Sequence, residues 1–377
     1  MVCHPPLALY IHWPFCKSKC PYCDFNSHVR EGVEQEAWRE ALLRELATMA
    51  ARSPEHRLTS IFFGGGTPSL MPPATVAALI DAATGHWQAD DALEITLEAN
   101  PTSTEAANFA GFKAAGINRV SMGIQSLRPE ALQFLGREHS ADEALKALHT
   151  AHDLFDRVSF DLIYARPEQS LAEWEAELQE ALAHAKGHLS LYQLTIEPNT
   201  AFHHAYYKKG SFSLPEEELA ADFYTKTQDI MEAVGMPAYE VSNHAATEQA
   251  SRHNLSYWRG EYYIGIGPGA HGRPLIDGKR YASSTLKSPE RWLENVQQQG
   301  HGLEVWEPME PEDITAERLM MGLRLAEGVP LANSTAIDAE KRDFYVRQGL
   351  LKCENEQLTA TLEGRLVLNS LIAELLL

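Results

Sequence analysis

The stretch Leu7-Ala8-Leu9-Tyr10-Ile11-His12-Trp13-Pro14-Phe15-Cys16-Lys17-Ser18-Lys19-Cys20-Pro21-Tyr22-Cys23 joins an apolar, strand-like run to a loop carrying three cysteines. The chain has five cysteines: Cys3, Cys16, Cys20, Cys23 and Cys353. A disulfide framework spreads an even number along a short secreted chain, so crowding of three in one loop points to metal. The C-x3-C-x2-C spacing suits three corners of a cuboidal [4Fe–4S] cluster, because soft sulfur ligands select iron–sulfur or zinc. Structural zinc is the alternative. Zinc sites are closed by four ligands and usually arrive as two separated C-x2-C pairs; no second pair exists here, although His12 or His28 is available as a fourth ligand. Lys17 and Lys19 favour thiolates over inert buried thiols.

Working outward, Leu7–His12 is the first of six apolar runs, followed by Thr59–Phe63, Leu93–Glu98, Arg119–Ile124, Val158–Tyr164 and Leu189–Ile196. Between them lie helix-spaced segments over residues 34–51, 73–86, 104–115, 141–154 and 170–185. Strand–helix repetition of this size implies a parallel sheet, since parallel neighbours need a crossover. Six units fall short of an eightfold barrel, so the expected fold class is α/β, a partial (β/α)6 TIM-like barrel; a doubly wound sheet is the alternative. A smaller C-terminal unit, with helices, a hairpin over Leu350–Cys353 and Leu358–Thr361, and a helix over residues 363–377, resembles a winged helix. The expected division is 1–240 for the barrel, 241–304 for a connecting segment and 305–377 for the small domain.

In parallel α/β folds the loops at the strand carboxyl ends build the site. Those loops hold Gly64-Gly65-Gly66-Thr67-Pro68, Glu98-Ala99-Asn100, Gln125-Ser126 and Glu197-Pro198-Asn199. Consecutive glycines admit close approach of backbone to a ligand. No Lys-Ser/Thr follows, so this is not a Walker phosphate loop. Glu98 is placed to accept ribose hydroxyls, or simply to cap a helix. Arg137 is either a surface ion pair or a carboxylate clamp. Asp161, inside the apolar run Phe160-Asp161-Leu162-Ile163-Tyr164, is costly to bury without a partner and must be paired or functional. Ile264-Gly265-Ile266-Gly267-Pro268-Gly269-Ala270-His271 lacks the third glycine and the later acid of a dinucleotide fingerprint.

The C-x3-C-x2-C loop followed by Asp24-Phe25 resembles the cluster motif of the radical S-adenosyl-L-methionine (SAM) superfamily. That resemblance implies an open iron that holds the methionine end of SAM, and an electron from the cluster that splits the sulfonium to give a 5′-deoxyadenosyl radical. In order and spacing the motifs are similar to the coproporphyrinogen oxidase-like branch, over nearly the whole chain. The implied SAM contacts are Tyr10, Gly65, Gly66, Thr67, Glu98, Gln125, Arg137, Asp161 and Thr195. Tyr22 is the implied adenine neighbour, and His271 is a further candidate lining residue. One departure is Ala165-Arg166-Pro167, where the branch more often has Gly-Leu-Pro.

That branch contains oxygen-independent coproporphyrinogen III oxidases and HemW-type haem chaperones. Three features favour the chaperones: Phe25 where the oxidases carry a further cysteine, 15 residues before Cys16 where they have a longer segment, and His253-Asn254-Leu255-Ser256-Tyr257-Trp258, which matches the HNxxYW motif associated with haem. Imidazole is a good axial ligand to iron, and Tyr257 and Trp258 offer flat surface to a macrocycle. The expectation is therefore His253, Tyr257 and Trp258 on haem, with His244 and His271 as weaker ligand candidates. Without the family context, His253 reads as a packed, hydrogen-bonded histidine.

Composition sets the partners. Lys plus Arg number 32 and Asp plus Glu 52, a formal net charge of −20. Residues 304–377 hold 14 acids and 7 bases. Such a balance repels phosphate backbones, so nucleic acid is not expected and a radical tRNA-modifying enzyme is the weakest reading. No apolar stretch reaches 18 residues, so no stable membrane insertion is expected. Met1–Phe15 lacks the pattern of a signal peptide, and the expected compartment is the cytoplasm. The resemblance implies haem and haem-acceptor proteins as partners and leaves room for a homodimer.

Overall fold

The computed structural model describes residues 4–333 and 337–376; Cys3 lies outside them. Eight strands form the main sheet: β1 Pro6–Trp13, β2 Arg57–Gly65, β3 Gln88–Ala99, β4 Arg119–Gln125, β5 Arg157–Tyr164, β6 His188–Gln193, β7 Asn243–Ala245 and β8 Tyr262–Ile266. Their order is β8-β1-β2-β3-β4-β5-β6-β7. All neighbours are parallel except the last pair, and among the described residues the two edges do not meet. The barrel is partial, as expected. Both edge strands come from the segment expected to be a connection, so the sheet runs on past residue 240. In particular the Gly265 segment pairs with β1, Tyr10 opposite Gly265.

Helices cover the outer face because their apolar stripes match the outward residues of the strands. Ser140 and Ser170 start two of them with complete capping boxes to Glu143 and Glu173. The helix expected over residues 104–115 is broken into Ser103–Ala106 and Phe109–Ala115. There Glu105 is turned back to accept from Ser69 and from the Asn100 N–H. The core includes Trp38 and Trp292, stacked at 5.2 Å.

Beyond the barrel, Lys279–Thr285 pairs with Leu303–Pro308, so this strand runs across residue 305, the expected start of the small domain. The terminal unit follows: helix Pro311–Gly322 and a three-stranded sheet of Val329–Pro330, Leu351–Glu354 and Gln357–Ala360. It has its own apolar cluster, which includes Leu319, Leu351, Leu358 and Leu375. The single helix expected over 363–377 is two, Leu362–Leu366 and Leu368–Leu376, with a bend at Val367.

Candidate cofactor site at the barrel mouth

At the carboxyl ends of the strands, a cavity of about 170 Å³ is lined by Cys16, Cys20 and Cys23 together with the glycine loop, Glu98, Gln125, Arg137 and Asp161. It opens into a second cavity of about 1060 Å³ that shares Tyr22, Cys23, Phe25, Glu98, Gln125 and Asp161. Thr195 lines only this outer one, on the loop beyond the end of β6.

The glycine loop is shaped by contact with β1. A Cβ on Gly65 would meet the His12 ring at 2.5 Å, and φ there is +113°, so only glycine fits. A Cβ on Gly66 would meet the Phe15 carbonyl at 2.7 Å. The Gly65 N–H donates to Glu98 Oε2 at 3.1 Å. Burial pushes the Glu98 carboxyl up to about 8, helped by Asp161 and opposed by that N–H and by Arg119. Burial likewise raises Asp161 to about 6, opposed by the Ser190 hydroxyl, Arg119 and Arg137.

Arg137 reaches across the mouth. Its Nη1 donates to Cys20 Sγ at 3.2 Å, and Nη2 to Asn100 Oδ1 at 2.7 Å and to the Gly123 carbonyl at 2.8 Å. Its Nε has no partner, and neither does Asp161 Oδ1, although both are buried. One unmet donor and one unmet acceptor beside a cavity suit a ligand end that offers both, such as an amine and a carboxylate. Burial pushes the Cys16 and Cys23 thiols up, opposed by the Thr67 hydroxyl at Cys16 and the Phe25 backbone at Cys23.

The donors fit a cluster better than zinc. Both His12 nitrogens are taken, by the Tyr10 hydroxyl at 2.9 Å and the Asn26 carbonyl at 2.9 Å, and His28 Nε2 is 3.2 Å from Asn26 Oδ1. Neither imidazole lines the cavity that the three cysteines share. Among the described residues, no three or more His, Cys, Asp or Glu groups are gathered for a single ion.

Not every expected residue reaches the site. Tyr10 lies behind the glycine loop: it does not line the cavity, and its ring would meet a Cβ on Gly64 at 2.8 Å. His271 is exposed on a two-residue strand and lines neither cavity, because its backbone, not its ring, closes on Gly265. His253 is buried in the barrel, with Nδ1 2.9 Å from Ser60 Oγ, Nε2 2.7 Å from the Tyr257 hydroxyl and its ring stacked on Phe62 at 4.9 Å. This is the packed histidine, not an open iron ligand. Burial lowers its pKa to about 3. His244 is also buried, and neither ring nitrogen has a hydrogen-bond partner. Tyr257 and Trp258 do line a cavity.

Ala165, where glycine was the expected residue, has φ +56° and so keeps the left-handed turn at some strain. Next to it, Arg166 is buried and ion-paired with Glu177 at 2.5 Å. Glu177 also accepts from Ser126 Oγ at 2.5 Å and the Leu127 N–H at 2.8 Å, which fixes the loop after Gln125, itself at φ +71°. Sequence reasoning missed Glu177 and also Arg119, a buried arginine whose charge reaches both Glu98 and Asp161. Arg119 heads its apolar run, where a charge is unremarkable, so the signal that exposed Asp161 was absent.

Residues 10–181 match the profile of the Radical SAM superfamily, and 309–367 match that of the HemN C-terminal domain. Heme chaperone HemW of Escherichia coli K12 is 38% identical over 384 residues, covering 99% of this chain and 98% of that protein. The chain belongs to the HemW family of radical SAM proteins. Within this wider group, mouse radical S-adenosyl methionine domain-containing protein 1, mitochondrial, is 40% identical over 385 residues, 98% of this chain and 87% of its own. The solved structure of coproporphyrinogen III oxidase (HemN) from Escherichia coli matches at a TM-score of 0.81 and 21% identity, covering 99% of this chain and 90% of that one; it establishes the shared fold. Membership of the superfamily implies a [4Fe–4S] cluster and SAM for this HemW-family chain. No helix among the described residues is long and apolar enough to cross a membrane.

Proposed function

We propose that this protein is a haem chaperone: it binds haem and passes it to acceptor haemoproteins, with a [4Fe–4S] cluster and SAM held at the barrel mouth. The observation that carries the cofactor half is the convergence of three thiols with an unmet Arg137 Nε and an unmet Asp161 Oδ1 on one cavity. Cys16, Cys20 and Cys23 would hold the cluster. Arg137 and Asp161 would meet the carboxylate and amine of the methionine end, Gly65–Thr67 would let it approach the backbone, and Glu98 and Gln125 would face the ribose. When bound, the cluster supplies an electron to the SAM sulfonium.

The haem half is supported by full-length likeness to a protein named as a haem chaperone. Within the HNxxYW segment, Tyr257 and Trp258 meet a cavity and His253 holds Tyr257 in place. The reading includes a cytoplasmic site of action and, on the charge argument, no nucleic-acid partner. The test is transfer. Anaerobically reconstituted protein loaded with haem should convert an apo-haemoprotein to its holo form, read from the acceptor's own Soret band. Failure to bind or release haem, or conversion of coproporphyrinogen in the presence of SAM and reductant, would overturn the proposal.

A further inference from the structure

A groove of about 550 Å³ lies between the barrel and the terminal unit. Tyr257 and Trp258 form one side, Tyr192 is at the barrel end, and the bend between the last two helices, Arg365 to Ser370, closes the other side. Past Tyr192 and the same bend it adjoins the outer cavity that reaches Cys23 and Phe25. Its apolar surface is uncovered: Tyr192 is 38% exposed, Leu366 42% and Val367 46%. Exposed aromatic and aliphatic side chains that rim one concavity mark a binding surface more often than scattered ones do.

Two arginines line the groove, Arg324 and Arg365. Acids outnumber bases 52 to 32 in this chain, yet neither arginine joins any ion pair among the described residues. Arg324 is held by neutral acceptors, Asn369 Oδ1 at 2.8 Å and the Met320 carbonyl. Arg365 sits beside the Tyr224 phenol. Glu240, also on the groove wall, accepts through Oε1 from Asn243 Nδ2 at 2.6 Å and the Ser242 N–H at 3.1 Å, and its charge reaches Arg324 without forming an ion pair. Guanidinium groups that form no ion pair at the edge of an apolar groove are suited to bidentate capture of carboxylates.

We propose that this groove holds a planar, apolar dicarboxylate, the haem macrocycle, with its propionates on Arg324 and Arg365 and its ring against Tyr192, Tyr257 and Trp258. This rests on the chaperone reading and relocates its haem site from His253 to the groove. His253 then acts as a positioning residue through its hydrogen bond to Tyr257.

The experiment titrates the reconstituted full-length protein with haem, with protoporphyrin IX and with protoporphyrin IX dimethyl ester, read by Soret absorbance and porphyrin fluorescence. Both diacids should bind the wild type, and the ester about tenfold or more weaker. The double variant Arg324→Gln/Arg365→Gln should weaken the diacids about tenfold or more and leave the ester unchanged, because a charge-assisted hydrogen bond to each acid is lost. Its cluster absorbance reports that it has folded, and Arg342→Gln, a surface arginine paired with Asp343, should bind like the wild type. Equal affinity of wild type for diacid and ester, or an unchanged double variant, overturns the groove and leaves the chaperone reading intact. A wild type that binds no haem removes both.

Discussion

The cysteine loop at the barrel mouth and the helix Arg252–Trp258 each carry a motif that the sequence singles out, and they are opposites in hydrogen bonding. At the mouth, buried polar atoms are left over: Arg137 Nε and Asp161 Oδ1 have no partner, and carboxyls are held up by burial. On the helix, both ring nitrogens of His253 and the N-terminal N–H groups beside it are met. Ser60 and Tyr257 take its ring nitrogens, and Glu94 accepts from the Ser251 hydroxyl and the N–H groups of Arg252 and His253. Glu94 is in turn paired with Arg157 at 2.5 Å. Unmet buried groups signal a missing partner; met ones signal packing. The contrast teaches that a motif's residue types do not say which of its side chains faces a ligand.

The helix side of this contrast breaks most severely at Glu94. Glu94→Ala leaves Arg157 charged without its partner and uncaps the helix, and should cost about 3–5 kcal/mol, read by chemical denaturation. A loss under about 1 kcal/mol would show that the helix is not clamped as described. At the mouth, Glu98 supplies the converse test. Its carboxyl is raised from 4.5 to about 8, so the neutral acid is favoured in the fold. Stability is fully present below about 4.5 and is lost as pH rises toward 8, by at most about 1.4 kcal/mol per pH unit. Glu98→Gln should flatten that decline in the cofactor-free protein; an unchanged slope between pH 5 and 8 would contradict it.

His253→Ala strands the Ser60 and Tyr257 hydroxyls and opens a void, a loss of about 2–4 kcal/mol. The Soret maximum of the haem complex should nevertheless stay where it is in the wild type. A shifted maximum would make His253 an iron ligand after all and erase the contrast between the two regions. The smallest effect belongs to Ala165. At φ +56°, Ala165→Gly should stabilise the fold by about 1 kcal/mol, visible as a raised midpoint of denaturation.

Six strands and the cysteine loop were legible because their signals are local: β-branched and apolar runs, and thiol spacing. The two edge strands were not. Asn243–Ala245 is three residues long, and Tyr262–Ile266 is interrupted by a glycine; only pairing with β6 and β1 makes them strands. At the site, Glu98 and Gln125 stand where strand ends put them, Asp161 shows as a charge inside β5, and Arg137 follows the short helix Pro129–Phe134. His271 could not be placed, because whether its ring or its backbone faces inward is decided by the close approach of Gly265. Likewise the two arginines of the groove lie 41 residues apart in the chain, and only the packing of the terminal unit brings them together.

The claim on which the rest depends is that three thiols at the mouth hold a cluster with an iron left for SAM. Electron paramagnetic resonance of the reduced, anaerobically reconstituted protein tests it directly. The account predicts a [4Fe–4S] signal that changes when SAM is added, and no such signal in Cys16→Ala. A wild-type spectrum indifferent to SAM, or a normal cluster signal in Cys16→Ala, would contradict it.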